Sequence, residues 1–225
     1  SQYWDEARIV RFVSSALADM LMSAKANSPY YRDALDSYSA GDIRDISRGL
    51  HMERLPLLNK DIVKRSPGAL VNPQHPVAAR SSTSGTTGSP MVIEHDLHSI
   101  QLGFALMHQH RAWLGVSPFE RSVRFSGRII VDTKRTAPPY WHINRPERQL
   151  LASTYHLTPR NMPVYWETIR DYSPKIIDGY PSAIAELGRY MRQHSHSLPA
   201  LAGIITTAET LSPQLRKDIE NSWQT

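Results

Sequence analysis

Cysteine is absent from the chain. Disulfides and thiolate metal sites are thereby excluded within it, and the absence fits a reducing compartment, so a cytoplasmic location is expected. No apolar run approaches the ~18 residues that a membrane span requires, and the N-terminus has no charged-then-apolar leader pattern. A start upstream of Ser1 would hide such a leader. Basic residues are in excess, 26 Lys and Arg against 21 Asp and Glu. They never form a run, however: the arginines scatter from Arg8 to Arg216, and no DNA- or RNA-binding motif accompanies them. A nucleic-acid partner is therefore not expected, whereas a phosphate-bearing substrate would profit from the same positive field. The pairs His108/His110 and His194/His196 stand at a spacing that, on a helix, turns the two rings to different faces, so no metal site is expected from them. Internal repeats and low-complexity tracts are lacking too. With 40% apolar residues, a chain of this length can bury a core as one domain or as two packed lobes.

What the chain does have is the run Ser81-Ser82-Thr83-Ser84-Gly85-Thr86-Thr87-Gly88-Ser89-Pro90. Two glycines allow backbone N–H groups to approach an anion with no Cβ in the way, and the hydroxyls supply rotatable donors to phosphate oxygens. A flexible Ser/Thr/Gly linker has a similar composition. The flanks oppose that reading, because Val77-Ala78-Ala79-Arg80 and Met91-Val92-Ile93-Glu94 both read as strands and would hold the loop at its two ends. A kinase-type P-loop is excluded by spacing. That motif places four residues between its glycines and then Lys and Ser/Thr, whereas here two residues separate Gly85 from Gly88 and Ser89-Pro90 follows.

Along the chain, Ile9, Val13, Leu17 and Leu21 mark a helical stripe within a segment from Trp4 to Ala26, ended by Pro29. Short helices are predicted between Asp42 and Arg65, with Asn59 as an N-cap, and a longer helix from Leu97 to Leu114 closed by Gly115. Strands are predicted at Arg128–Asp132 and Leu150–Tyr155, separated by a Pro- and Arg-rich loop from Thr136 to Arg148. Regular alternation follows: a helix from Thr158 to Tyr172, a strand at Lys175–Asp178, a helix from Pro181 to His194, a strand at Gly203–Thr206, and a last helix begun by Ser212-Pro213. This pattern predicts an α/β fold with helices packed on a mostly parallel sheet and ligands gathered at the carboxyl ends of its strands, by Gly179-Tyr180 and Thr207-Ala208-Glu209. By segments, 1–75 is helical and 76–225 is the α/β core carrying the phosphate loop 81–90.

The hydroxyl-rich loop resembles the phosphate-loop signature of the adenylate-forming enzymes, the superfamily of acyl-CoA synthetases, luciferase and peptide-synthetase adenylation domains. Further stretches are similar to the phenylacetate–CoA ligase branch and its CapK-like capsular polysaccharide biosynthesis relatives: Ser28-Pro29-Tyr30-Tyr31-Arg32, Leu55-Pro56-Leu57-Leu58-Asn59-Lys60, Pro138-Pro139-Tyr140-Trp141, Gly179-Tyr180-Pro181-Ser182 and Thr206-Thr207-Ala208-Glu209. The resemblance implies a ligase that uses ATP and Mg²⁺ to activate a carboxylic acid as an acyl-adenylate and transfers it to an acceptor such as CoA. It places Ser82, Thr83, Ser84, Gly85, Thr86, Thr87 and Gly88 on the phosphates. Thr207, Ala208 and Glu209 fall beside the adenine, with Gly179 and Tyr180 lining the acyl pocket and Tyr140 and Trp141 covering it. No catalytic residue is assigned. His142 and His156 have only their position in their favour.

Two departures stand out. The family's loop carries a lysine beside its proline, where Ser89 and Met91 flank Pro90 here, and the family continues past the position of Thr225 into a Tyr-Gly…Glu segment, a ribose-binding Asp and a mobile C-terminal domain with a catalytic lysine. We therefore expect a truncated N-terminal portion of a longer protein, inactive by itself. The alternative is a non-catalytic nucleotide-binding or partner-binding module. Truncation is also expected to leave an open sheet edge and an exposed Trp223, which together would favour self-association.

Overall fold

A computed structural model of the chain describes residues 3–82, 91–197 and 201–223. The chain divides into two compact units, Ser1–Gln101 and Leu102–Thr225. Composition changes from helical to strand-bearing near residue 75; the compact units part further along, at 101/102.

The first unit opens with α1 (Glu6–Asn27), whose Asp5 N-cap accepts the Arg8 N–H at 2.7 Å. Helices α2 (Pro29–Ala34), α3 (Ala40–Ser47) and α4 (Lys60–Arg65) follow. Asn59 caps α4 as expected, its side-chain oxygen accepting from Ile62 N–H. A small core of Leu21, Leu35, Ile43 and Ile46 joins α1 to α2 and α3. The apolar stripe of α1 is buried only at its C-terminal end. Ile9 and Val13 remain 43% and 52% exposed, so the expected packing helix packs through Leu17 and Leu21 rather than along its whole length.

Helix α3 begins with a reciprocal capping box. Asp42 N–H donates to Ser39 Oγ at 3.1 Å, while Ser39 N–H and Oγ–H donate to Asp42 Oδ2 at 2.9 and 2.6 Å. These Ser39 bonds first, and then Arg54, lower the Asp42 pKa to about 2. A carboxyl whose pKa falls on folding contributes stability above its unfolded value and loses it as pH drops through the folded one. The thermal midpoint is therefore expected to lose this contribution between about pH 4 and pH 2, and Asp42→Asn is expected to flatten that part of the profile. An identical acid slope in melts of both proteins would show that the box does not report on stability.

Strands β1 (Val77–Ser82) and β2 (Val92–Asp96) form an antiparallel hairpin in which Ser82 faces Val92. Arg80 Nε bonds Glu94 at 2.9 Å, and Ser81 Oγ lies 2.8 Å from His95 Nε2. The loop between them, including Thr83, Ser84, Gly85, Thr86, Thr87 and Gly88, lies outside the described residues. Helix α5 (Leu97–Trp113) follows, and Gly115 adopts φ +69 just beyond it, a conformation that suits glycine at a helix C-terminus.

The second unit holds a five-stranded sheet of order β4-β5-β3-β6-β7, with β3 Ser122–Ser126, β4 Trp141–Asn144, β5 Gln149–Ser153, β6 Ile176–Gly179 and β7 Gly203–Thr206. Strands β5, β3, β6 and β7 run parallel, and β4 pairs antiparallel with β5. This is the predicted mostly parallel α/β sheet. Helices α6 (Met162–Tyr172), α7 (Pro181–Gln193) and α8 (Pro213–Trp223) accompany it.

Three features of this unit differ from the sequence expectation. Arg128–Asp132 is not a strand, and Ile129 is 69% exposed; the strand is Ser122–Ser126, whose Val123 and Phe125 are fully buried. The supposed loop from Thr136 to Arg148 contains β4. Trp223 is buried, its indole N–H donating to Ile184 O at 3.1 Å. Its site on α7 exists because Gly188 carries no Cβ, which would sit 2.7 Å from Trp223 Nε1. Among the described residues, β4 and β7 are the edge strands of this sheet.

Candidate functional site

Parallel pairing brings the carboxyl ends of β3, β5, β6 and β7 to one edge, where a doubly wound sheet presents its loops to a ligand. The register sets Phe125 beside Gly179, Gly179 beside Thr206, and Ser126 beside Ser153. Backbone bonds continue past the strand ends: Tyr180 N–H donates to Phe125 O at 3.0 Å and Thr207 N–H to Gly179 O at 3.0 Å. Gly179 has φ +143, and a Cβ there would overlap the Phe125 carbonyl oxygen. A glycine is required at this point. Tyr180, the N-cap of α7, lays its phenol over Gly127, where any side chain would collide with it. Gly179, Tyr180, Thr207 and Ala208, all predicted as site residues, thus converge on one strip of backbone.

Glu209, expected beside the adenine, is bonded within the chain. Its carboxylate accepts from Ser182 N–H at 3.0 Å and Ser182 Oγ–H at 2.9 Å, at the start of α7. Between the two anchors, Ala208 takes φ +66. Ser212 caps α8 by accepting from Leu215 N–H at 3.2 Å.

Tyr140 and Trp141 lie at the start of β4, on the β5 side of the sheet. Tyr140 is a core residue: its ring stacks on His156 at 4.8 Å and its hydroxyl donates to Thr136 O at 3.0 Å. Trp141 is half-buried and meets Tyr165 edge-on. Beneath them, Ser153 Oγ and His156 Nδ1 share a 2.9 Å hydrogen bond, and Tyr165 OH donates to Ser153 O at 2.6 Å. Burial, with the Tyr140 phenol adding to it, raises the Tyr165 pKa well above the ordinary tyrosine value. His156 is buried and its Nε2 has no partner among the described residues. His142 is exposed. The rings of His194 and His196 lie on a common side, stacked 5.8 Å apart, because α7 ends at Gln193 and the helical spacing no longer applies.

A buried charge cluster not expected from the sequence lies in β3 and β6. Asp178, 3% exposed, receives Arg111 Nη2 at 2.8 Å and Arg124 Nε, while Arg111, 2% exposed, also contacts Ser122 Oγ at 3.4 Å. Arg124 and Asp178 are register partners on β3 and β6, and Arg111 arrives from α5. The available signal was an acid inside an otherwise apolar Ile-Ile-Asp-Gly strand, a pattern that calls for a buried partner. Among the described residues, no group of three or more His, Asp or Glu could hold a metal.

No family model matches the chain. Protein CapK of Staphylococcus aureus is 25% identical over 200 residues, covering 88% of this chain and 44% of CapK. A crystal structure of 2-hydroxyisobutyryl-CoA ligase with 2-HIB-AMP and CoA, in the thioesterification state, matches with a TM-score of 0.69 at 15% identity over 98% of this chain and 48% of that one. An open conformation of that ligase, also with 2-HIB-AMP and CoA, gives 0.69 at 14% identity over 100% of this chain and 55% of that one. The chain thus spans about half the length of the proteins that it matches. By sequence the chain is similar to about half of CapK, and its fold is that of about half of the 2-hydroxyisobutyryl-CoA ligase chain.

Proposed function

We propose that this chain is the nucleotide-gripping part of a ligase that activates a carboxylic acid with ATP as an acyl-adenylate and passes it to an acceptor such as CoA. The observation that carries the reading is the coincidence of two features in one chain. A hydroxyl- and glycine-rich run of sequence connects the two strands of a hairpin, and a sheet of the ligase type gathers Gly179, Tyr180, Thr207 and Ala208 at its carboxyl edge. In this reading the run from Ser82 to Gly88 donates backbone and hydroxyl hydrogens to phosphate oxygens. Thr207 and Ala208 line the base, and Gly179 and Tyr180 border the acyl group with Trp141 and Tyr140 nearer β5. The acid's carboxylate oxygen would bond to the α-phosphorus of ATP as the α–β phosphoanhydride breaks and pyrophosphate leaves, so that AMP, a good leaving group, departs when the acyl group passes to the acceptor. The chain's own contribution is positioning and the compensation of negative charge. Mg²⁺ would travel with the triphosphate, and Glu209, committed to Ser182, is not a free ligand for it.

A second reading, a nucleotide-binding module without catalysis, draws on Ser89 and Met91 standing where the family's loop lysine would. The test of the first assignment is direct. Gly85→Val is expected to weaken ATP binding by about 1–3 kcal/mol through loss of one or two amide contacts. Unchanged affinity in calorimetry would remove the phosphate role from the loop. ATP–pyrophosphate exchange with a panel of acids separates the two readings, since binding without exchange by the isolated chain, and exchange by a protein that contains it, supports the ligase.

A further inference from the structure

We infer that Glu209 is a positioning residue whose carboxylate, anchored on Ser182, holds Thr207-Ala208 as a preformed turn for the nucleotide base and fills the N-terminus of α7 while doing so. This deepens the reading above and rests on it for the identity of the ligand. Helix α7 begins with a demand for an acceptor. Its N-cap Tyr180 provides no side-chain cap, and its first residue is Pro181, which has no N–H. Ser182 therefore carries the first unsatisfied donor of the helix, at the end where the backbone dipoles leave a partial positive charge. The group that meets it comes from 27 residues away in sequence, and it meets both the N–H and the hydroxyl. A charged acceptor at that position gives the stronger kind of hydrogen bond.

The turn so held is one that its own sequence does not favour. Ala208 sits at φ +66, a region that an alanine rarely occupies without support from its surroundings. The support comes from both sides. Thr207 is tied to the end of β6 through its N–H on Gly179 O, and Glu209 is tied to the start of α7. The strap spans β7, β6 and α7 and leaves Ala208 fixed between two anchors. Filling of the α7 N-terminus by an internal carboxylate has a second consequence: that terminus, otherwise an obvious anion site at the carboxyl edge, is not where a ligand phosphate is received.

The experiment measures AMP affinity by calorimetry and, without nucleotide, the hydrogen exchange of residues 203–211, in the wild-type chain and in Glu209→Ala, Glu209→Gln, Ser182→Ala and the double variant Glu209→Ala/Ala208→Gly. Glu209→Ala is expected to weaken AMP by about tenfold and to speed exchange of the turn. Glu209→Gln, whose amide oxygen still accepts from Ser182 N–H, is expected to keep most of the affinity, and Ser182→Ala to fall between. The added glycine is expected to recover part of the loss, because glycine adopts a positive φ without penalty. Wild-type affinity and exchange in Glu209→Ala would overturn the inference. So would a Glu209→Gln as weak as Glu209→Ala with unchanged exchange and no glycine rescue, which would mark direct contact between the carboxylate and the ligand. If the wild type binds no AMP, the nucleotide reading fails, and exchange in Glu209→Ala and Glu209→Gln still decides whether the strap positions the turn.

Discussion

Replacing Asp178 with alanine is expected to destabilise the Leu102–Thr225 unit by about 3–5 kcal/mol, the largest single effect in this protein. Removal of the one carboxylate would leave the Arg111 guanidinium, 2% exposed, without its counter-ion beside an apolar sheet. The cost is one of desolvation that is no longer offset, more than of lost attraction. A control separates the two. Replacing Arg111, Arg124 and Asp178 together with apolar residues of similar size is expected to recover most of the loss, because no charge is then stranded. Urea denaturation followed by tryptophan fluorescence reads both variants. A loss below about 1 kcal/mol for Asp178→Ala, the range of exposed pairs, would mean that water reaches the cluster.

Gly179→Ala is the second large effect, expected at about 3 kcal/mol or more from backbone strain and overpacking together. The new Cβ would overlap the Phe125 carbonyl, so β6 must move away from β3 at the point where Tyr180 N–H and Thr207 N–H make their bonds. Weaker nucleotide binding should accompany the loss of stability, since the same shift displaces the Thr207-Ala208 turn. Gly49 provides the comparison: it too has a positive φ, +88, but a Cβ there meets nothing within 4 Å. Gly49→Ala is therefore expected to cost only the conformational part, roughly 1–2 kcal/mol. Equal thermal shifts for the two variants would mean that overlap with Phe125 is not the cause.

The elements that were legible in the sequence were those whose signals are local. Asn59 and Ser212 announce helix starts because a short side-chain acceptor meets a backbone donor within three residues. Gly115 announces a helix end by the same kind of short-range constraint. The strands at Ile176–Gly179, fully buried, and Gly203–Thr206, half-buried at the sheet edge, are short apolar runs between turn residues. Local and tertiary signals diverge around β3. Arg128-Ile129-Ile130-Val131 is the more apolar stretch, yet Ser122-Val123-Arg124-Phe125-Ser126 is the strand, because its polar residues find buried partners: Arg124 on Asp178, and Ser122 on Arg111.

Legible in the amino-acid order alone were the α/β class, the parallel alternation after residue 158, the hairpin whose strands flank residues 83–90, and the placing of Gly179-Tyr180 and Thr207-Ala208 at strand ends. Each follows from periodicity, turn chemistry or the rule that parallel strands share one carboxyl edge, and these act over a few residues or through connectivity alone. Which charges pair across the sheet, that Trp223 is covered, and that Glu209 belongs to the start of α7 were settled by folding in three dimensions. Those outcomes depend on contacts between residues 27 to 67 positions apart. An acid's partner at such range is set by which helix end and which strand the folded backbone brings beside it, and no local pattern encodes that.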